Sequence, residues 1–325
     1  MRDLTFTVAA REGLAEEMER DDTVFVVGEG IGERGGNWAT TVGLHERFGP
    51  WRLRDTPISE RGFTGMCTGA ALAGARPIVD FMFIDFLLDA WGEIINQMAK
   101  MQYMSAGRLT MPIVLRGAIG VGHASATHHS GSYYSMLGHV PGLKVVIPTT
   151  PRDAKGLLKT AIRSDDPVFF LEHKSVFGVR GPVPDEEELI PFGEASIVRE
   201  GSDATVVAIG WMVHQTLAAC AELAKDGLSI EVIDPRTILP LDMDTILASV
   251  HKTGRLLVVD EDYSFFGVGA EIAAQAADRG FDDLDAPIRR LNGSFAPVPY
   301  SPPLEAAMVP NPTTIARAIR DLLAE

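Results

Sequence analysis

The sequence predicts an α/β protein of two domains, each with a mainly parallel sheet flanked by helices. Short apolar segments typical of strands alternate with helical patterns along nearly the whole chain. The 325 residues are 46% hydrophobic and 22% charged, which is enough for two separate cores. A proline-rich and acidic stretch at 181–188 interrupts the alternation and predicts a linker. We therefore expect domains at 1–180 and 199–325, joined by a linker at 181–198.

The first half is predicted to alternate strands and helices around two glycine-rich loops. Its predicted strands cover 23–28, 76–81, 112–115, 144–147 and 168–172. Its predicted helices cover 7–20, 85–104 and 151–162, with another beginning at 60. The loops, 29–36 and 116–123, each accompany a strand end, where open α/β sheets place their ligands.

The second half repeats the alternation with a smaller set of elements. Its predicted strands cover 204–209, 230–234 and 255–260. Its predicted helices cover 213–225, 268–277 and 313–323, and the first of them ends at a glycine signal. Apolar strands of this kind are typical of parallel sheets that helices cover on both faces.

Glu60 stands where the helix after Pro57 begins, and Ser59 is predicted as its N-cap. Glycine and alanine recur closely along this helix, so it can approach another backbone. A first-turn carboxylate has an ordinary structural role, because the helix dipole favours it. These residues alone favour the structural role of Glu60. The neighbouring segments, taken together, favour a functional role instead.

Charge and cysteine content narrow the class of protein. The net charge is −15 and the acids are spread along the chain, so we expect no nucleic-acid partner. The two cysteines, Cys67 and Cys220, lie far apart in apolar helical patterns and are predicted to be buried thiols. No secretory signal or membrane-spanning run is apparent, so we expect a cytoplasmic protein with no membrane contact.

The most unusual polar segment is 123–134, which holds three histidines and several hydroxyls after a glycine-rich loop. The segment as a whole predicts a functional loop. For any single histidine, a hydrogen-bonded turn residue is the alternative. A zinc site is conceivable, but the adjacent His128 and His129 rarely reach one metal without nearby acids. Phosphate-loop, complete dinucleotide-fingerprint and paired-cysteine motifs are missing.

Six blocks in order give the sequence a specific resemblance. They are 55–60, 81–86, 129–130, 139–146, 153–158 and 232–237. Together they resemble the beta subunits of thiamine-diphosphate-dependent 2-oxo acid dehydrogenases, which include pyruvate, branched-chain 2-oxo acid and acetoin enzymes. The resemblance spans nearly the whole chain. It implies a transketolase-like pyrimidine-binding domain followed by a transketolase-like C-terminal domain.

The resemblance also implies roles for individual residues. Glu60 matches the catalytic glutamate that hydrogen-bonds N1′ of the cofactor and shares a proton with it. His129 matches the catalytic histidine that assists proton transfer and presentation of lipoamide sulfur. Glu29, Phe86 and Asp89 are implied as cofactor-binding residues, Phe86 by packing on the pyrimidine. Relatives usually carry Gln or an apolar residue at the position of Asp89.

Cofactors and partners follow from the same resemblance. Thiamine diphosphate is expected to bind this chain by its pyrimidine end only, because no Gly-Asp-Gly motif with a downstream Asn is present. An alpha subunit should supply Mg²⁺ and complete an α₂β₂ assembly, without which the chain is inactive. A second copy of the chain and a dihydrolipoyl acyltransferase core are the other expected partners.

A structural potassium ion is the remaining implied ligand. Some relatives hold it on backbone carbonyls at positions that match Ile113, Ala161, Ile162 and Asp166 here. Ser164 replaces an aspartate of the family at this place.

The implied reaction is oxidative decarboxylation of a 2-oxo acid, or cleavage of acetoin, with acyl transfer to lipoyl groups. One alternative is the C-terminal half of a split transketolase-type enzyme. Another is a non-catalytic assembly chain, because Asp89 and Gly131 depart from the family pattern. The sequence does not select the 2-oxo acid, since another chain contributes to the substrate pocket.

Overall fold

The chain builds two units, each around its own sheet. The computed structural model describes residues 1–325. The first unit consists of Met1–Ile119 and Met136–Phe192, and the second of Gly120–Ser135 and Gly193–Glu325. None of the helices combines the length and the apolar character that crossing a membrane requires. Both cysteines are free and buried, and burial raises the pKa of Cys67 to about 12 and that of Cys220 to about 11.

The first unit contains a parallel sheet whose strands lie in the order β6-β7-β5-β4-β2-β3. Up to residue 183 the elements are β1 (Arg2–Thr5), α1 (Phe6–Arg20), β2 (Val24–Gly28), α2 (Leu44–Phe48), β3 (Leu53–Asp55), α3 (Glu60–Leu72), β4 (Arg76–Phe83), α4 (Ala99–Met104), β5 (Val114–Ile119), α5 (Tyr134–Gly138), β6 (Lys144–Val146), α6 (Pro151–Arg163), β7 (Val168–His173) and β8 (Arg180–Val183). The strands β1 and β8 form a separate antiparallel pair. The central strands β5 and β7 are buried along their whole length, because helices cover both faces of a parallel sheet.

The second unit has a five-stranded sheet in the order β14-β13-β10-β11-β9. Its elements are β9 (Ser196–Arg199), β10 (Ala204–Ala208), α7 (Met212–Leu223), β11 (Ile230–Asp234), β12 (Thr237–Leu239), α8 (Met243–Thr253), β13 (Leu256–Tyr263), α9 (Val268–Arg279), β14 (Arg289–Gly293), α10 (Pro302–Met308) and α11 (Pro312–Leu323). All neighbours in the sheet pair in parallel except β9, which is antiparallel to β11. Apolar side chains of β10, α7 and α11 form its core.

The predicted fold class, two α/β domains with mainly parallel sheets, is confirmed. The predicted linker, 181–198, contains most of β8 and the beginning of β9. Residues 120–135 group with the second unit, although the sequence assigns them to the first domain. The hydrogen bonds of this segment, described below, account for that grouping.

The predicted helix over 85–104 is wrong in its first two thirds. A 3₁₀ helix covers Ile84–Leu88, a π-helix covers Glu93–Met98, and only α4 is α-helical. Buried residues recur three apart at Ile84, Leu87 and Ala90, which is the 3₁₀ period. The sequence therefore has a helical pattern, but its spacing does not fit a continuous α-helix.

Candidate functional site

Glu29 and Glu60 lie near each other where the neighbouring strands β2 and β3 end. These strands pair in parallel, with Gly28 opposite Asp55. Glu29 follows β2 directly, and Thr56 begins the segment that leads from β3 to Glu60. The Thr56 amide donates to the Gly28 carbonyl oxygen (3.0 Å) and ties the two strand ends together. The carboxyl ends of both strands thus bring Glu29 and Glu60 to one edge of the sheet.

The Glu29 carboxyl has incomplete hydrogen bonding at this edge. Its Oε1 atom is buried and accepts no hydrogen bond. Partial burial raises the pKa of Glu29, and the nearby Glu60 carboxylate raises it further. Glu60 is only 9% exposed. Two close carboxyl groups with an unpaired oxygen form an environment that favours a proton or a proton-donating ligand.

Ser59 occupies the predicted N-cap position of α3, but its side chain does not cap the helix. Its hydroxyl donates to the Pro57 carbonyl oxygen instead (3.1 Å). Glu60 is the first residue of α3, where the helix dipole favours a negative charge. Glu60 therefore has a stabilising position at the start of α3 and also lies near Glu29.

The glycine-rich loop after β2 is fixed by its neighbours on both sides. Asp55 accepts a hydrogen bond from the Gly32 amide (3.0 Å). A Cβ on Gly32 would lie 2.6 Å from the Asp55 carboxylate, and one on Gly28 would lie 2.4 Å from the Asp80 carbonyl oxygen. Gly28 therefore requires glycine, because it faces fixed backbone, whereas a side chain at Gly32 would displace the Asp55 carboxylate that holds the loop.

Phe86 belongs to an aromatic group of the first unit. Its ring meets Phe83 edge to face, with centroids 6.4 Å apart. Trp38 packs edge to face on Phe83 at 5.8 Å and stacks on Phe177 at 4.7 Å. Phe86 is half-buried, so the group supports it while part of its surface stays accessible for a further ring.

Asp89 lies in an exposed contact with α3. Arg61 donates to both the carbonyl oxygen (3.1 Å) and the carboxylate (3.4 Å) of Asp89. Asp85 is buried, whereas Asp89 is exposed. The two acids do not share a face, although they are four apart, because the 3₁₀ geometry turns such positions to different sides. We therefore leave Asp89 out of the candidate site.

A protein cation lies beside two of the carbonyls in the segment implied for potassium. The Arg76 guanidinium donates to the carbonyl oxygens of Ile162 (3.1 Å) and Ser164 (2.9 Å). The Asp166 carboxylate pairs with Lys144 (2.6 Å). The remaining two carbonyls, those of Ile113 and Ala161, accept hydrogen bonds from the Val168 and Ser164 amides, respectively. The guanidinium thus supplies positive charge at two carbonyls, whereas the Ile113 and Ala161 carbonyl oxygens each keep a second lone pair.

His129 lies in a loop of the second unit that carries a short 3₁₀ turn at Thr127–His129. His129 is half-buried and His128 is exposed. Gly120 donates to the Gly131 carbonyl oxygen (3.2 Å), which closes the base of the loop. No group of three or more His, Cys, Asp or Glu side chains is arranged to hold a metal ion, so the loop forms no zinc site.

Acidic side chains of the second unit bind this loop, and the sequence does not single them out. The Glu305 carboxylate accepts from the Gly122 and Ala124 amides (both 3.1 Å). Glu261 of β13 accepts from the Val121 amide and the Ser132 hydroxyl (both 3.3 Å). These partners lie more than 120 residues away along the chain. Only the fold brings them together, so no local signal could have identified them.

A buried tyrosine–aspartate pair continues the attachment of the same segment. The Tyr134 hydroxyl donates to Asp260 of β13, and the Ser135 hydroxyl donates to Asp262 (2.9 Å). Burial and the nearby Asp262 carboxylate raise the pKa of Asp260 to about 7. Asp260 also keeps one buried oxygen without a hydrogen bond.

Comparison with protein families assigns both halves of the chain. Residues 2–179 match the transketolase pyrimidine-binding domain, and residues 193–315 match the transketolase C-terminal domain. A solved structure of a split-gene transketolase, an inactive beta4 tetramer, superposes with a TM-score of 0.80. It covers 99% of this chain and 98% of that chain at 18% identity, so the likeness shows the fold alone. The split-transketolase alternative has no support beyond the fold.

Curated relatives are much closer in sequence. The pyruvate dehydrogenase E1 component subunit beta of Rickettsia felis is 47% identical, covering 98% of this chain and 97% of its own. The acetoin:2,6-dichlorophenolindophenol oxidoreductase subunit beta of Cupriavidus necator is 45% identical, with coverages of 98% and 97%. The 2-oxoisovalerate dehydrogenase subunit beta of Bacillus subtilis is 43% identical, with 98% of both chains covered. The chain belongs to the family of E1 beta subunits of 2-oxo acid and acetoin dehydrogenases, which are built from transketolase-type domains.

Proposed function

We propose that this chain supplies the pyrimidine-binding half of a thiamine diphosphate site in an α₂β₂ decarboxylating component. The reaction is oxidative decarboxylation of a 2-oxo acid, or cleavage of acetoin, with transfer of the acyl group to a lipoyl group. The observation that carries the proposal is the Glu29–Glu60 pair at the ends of β2 and β3. Residues 1–180 form the cofactor-binding domain and residues 199–325 the C-terminal domain in this proposal.

The first unit offers groups that fit an aminopyrimidine ring. Glu60 is a buried carboxyl that can hold a proton at a ring nitrogen. The Glu29 Oε1 atom is a buried acceptor that receives no hydrogen bond. The raised pKa of the Glu29 carboxyl indicates that its negative charge is disfavoured at this place. The accessible part of Phe86 supplies a surface on which a ring can stack.

Thiamine diphosphate, when bound, supplies the nucleophilic carbon and the electron sink that decarboxylation needs. The task of this chain is to bind and orient the ring and to control one proton. We assign the proton task to Glu60, because it is a buried carboxyl at the first position of α3. The carboxyl that responds to its surroundings is Glu29, whose pKa is raised by partial burial and by the nearby Glu60 carboxylate.

His129 is proposed to assist proton transfer when the acyl group passes to lipoyl sulfur. Support comes from its match to the family histidine and from its half-buried place in an anchored loop. Imidazole suits this task, because its ordinary pKa lies near neutral pH. The exposed His128 next to it has no proposed role.

The other half of the cofactor site is assigned to an alpha subunit. Binding the diphosphate end requires Mg²⁺ held on carboxylate or amide oxygens. The chain lacks the Gly-Asp-Gly and Asn motif that provides these ligands in the family. We propose that a second copy of the chain and a dihydrolipoyl acyltransferase core complete the assembly, and that the protein works in the cytoplasm.

The experiment reconstitutes the purified chain with its alpha subunit, thiamine diphosphate and Mg²⁺. Pyruvate, branched-chain 2-oxo acids and acetoin are then offered with 2,6-dichlorophenolindophenol as electron acceptor. We expect dye reduction with at least one of these substrates. Sugar phosphates in the same assay are the control. Turnover of sugar phosphates alone, with no 2-oxo acid or acetoin used, would contradict the proposal.

A further inference from the structure

The loop that carries His129 contains an unusual run of left-handed backbone. Gly122, His123 and Ala124 have φ angles of 132°, 62° and 50°, and Ala126 has a φ of 60°. Residues with a Cβ rarely adopt this conformation, and a run of them persists only where the surroundings impose it. The loop therefore needs partners outside itself to keep its shape.

Main-chain amides that converge on one point form a nest that binds anions, and the Gly122 and Ala124 amides converge in this way. Here the anion is the Glu305 carboxylate. One of its oxygens accepts from the Gly122 amide and the other from the Ala124 amide, both at 3.1 Å. Glu305 is only 6% exposed, so solvent screens these charge-assisted bonds little. The carboxylate thus holds the loop at the two ends of its left-handed run.

The constraint extends from this nest towards His129. Three residues after Ala124, the Thr127 hydroxyl donates to the Val298 carbonyl oxygen (2.9 Å). The Ser130 hydroxyl donates to the Ala126 carbonyl oxygen (2.7 Å) and closes the turn that contains His129. Both contacts depend on the path of the backbone after Ala124. Loss of the Glu305 carboxylate should therefore loosen the turn that contains His129.

We infer that Glu305 is a positioning residue for His129, acting through the nest at Gly122–Ala124. The inference rests on the proposed function, in which His129 serves transfer of the acyl group to lipoyl sulfur. Glu305 takes no part in the chemistry. It fixes the loop from which His129 acts, so its loss should impair acyl transfer and spare decarboxylation.

Glu305→Gln is the test variant, because it keeps the size of the side chain. The amide nitrogen of glutamine cannot accept a hydrogen bond, so one of the two nest amides loses its acceptor. Glu231→Gln is the matched control: Glu231 is a buried carboxylate of the same unit that accepts from the Gly201 amide and the Ser249 hydroxyl. It also pairs with the half-exposed Lys252, so urea denaturation checks that this control variant remains folded. His129→Ala serves as the reference for loss of the histidine.

Each variant is reconstituted with the alpha subunit and measured in three ways: amide hydrogen exchange of residues 120–131, dye-linked decarboxylation, and acylation of a lipoyl domain. For Glu305→Gln we expect faster exchange in this segment by on the order of tenfold. Acylation should fall by on the order of tenfold or more, with dye reduction within about twofold of wild type. Adding His129→Ala to this variant should cost no more than His129→Ala alone. Glu231→Gln should leave both exchange of the loop and acylation unchanged.

Unchanged exchange in Glu305→Gln overturns the inference, and so does a normal acylation rate when His129→Ala is impaired. Equal losses of acylation and dye reduction also overturn it, because they indicate a general defect. Normal acylation in His129→Ala instead refutes the role proposed for the histidine. In that case faster exchange in Glu305→Gln would show that Glu305 holds the loop, and the loop would have no part in acylation of the lipoyl domain.

Discussion

Replacing Glu60 with glutamine separates its proposed proton transfer from its structural place at the start of α3. Loss of a proton-transfer group typically lowers a rate by on the order of 10²–10⁴, and we expect turnover of the reconstituted enzyme to fall by that amount. The fold should hardly change, because two effects on stability oppose each other. The lost charge forfeits about 0.3–1 kcal/mol of interaction with the helix dipole. It also removes the repulsion that raises the pKa of Glu29.

The net change in the free energy of unfolding should therefore stay below about 1 kcal/mol. Urea denaturation measures it, and the dye-linked assay measures turnover. The pH dependence of the free energy of unfolding gives a second test. A raised pKa in the folded state means that Glu29 favours folding while protonated, and this stability is lost as pH rises through that pKa. Glu60→Gln should weaken this loss.

Glu46→Gln is the matched control, since Glu46 is an exposed glutamate in the first turn of α2. It should leave turnover unchanged. Near-normal turnover in Glu60→Gln would refute the proton-transfer reasoning. A fall in unfolding free energy of several kcal/mol, with turnover lost in proportion to folded protein, would assign Glu60 to structure alone.

Three further predictions concern the second unit and the sheet of the first. His129→Ala should impair lipoyl acylation far more than His128→Ala, and equal losses would show that the assigned position is wrong. Glu172→Gln should cost about 3–5 kcal/mol in urea denaturation, because it leaves Arg116 buried without its charged partner (side chains 1% and 3% exposed). A cost below about 1 kcal/mol would contradict this. Asp260 has a raised pKa of about 7, so its stabilising protonated form is lost as pH rises to that value. Unfolding free energy should fall less between pH 5 and pH 8 in Asp260→Asn than in wild type, and an equal fall would contradict the assigned pKa.

The sequence predicts those parts of the fold that depend on local pattern. The predicted strand Ile230–Asp234 and the predicted helix start at Glu60 agree with the structure. A buried strand appears in the sequence as a short apolar run, and the Pro57–Ser59 segment marks the beginning of α3. The prediction of one α-helix over 85–104 is wrong because 3₁₀, π and α turns have similar periods, and only the spacing of the buried residues distinguishes them.

The sequence points to candidate site residues one at a time and not to the pairs that they form. Glu60 and Phe86 are each proposed from the family resemblance alone. The closeness of Glu29 to Glu60 follows from the parallel pairing of β2 with β3, which the sequence does not specify. Glu305 could not be found either, since its contact with the His129 loop spans more than 180 residues. Long-range contacts of this kind arise from chain topology and leave no local pattern.

The central claim is that this chain holds only half of a thiamine diphosphate site. Calorimetric titration of thiamine diphosphate with Mg²⁺ tests it directly, first into the purified chain and then into the chain reconstituted with its alpha subunit. We predict stoichiometric, Mg²⁺-dependent binding and decarboxylation only in the reconstituted sample. Stoichiometric Mg²⁺-dependent binding with turnover by the chain alone would contradict the claim.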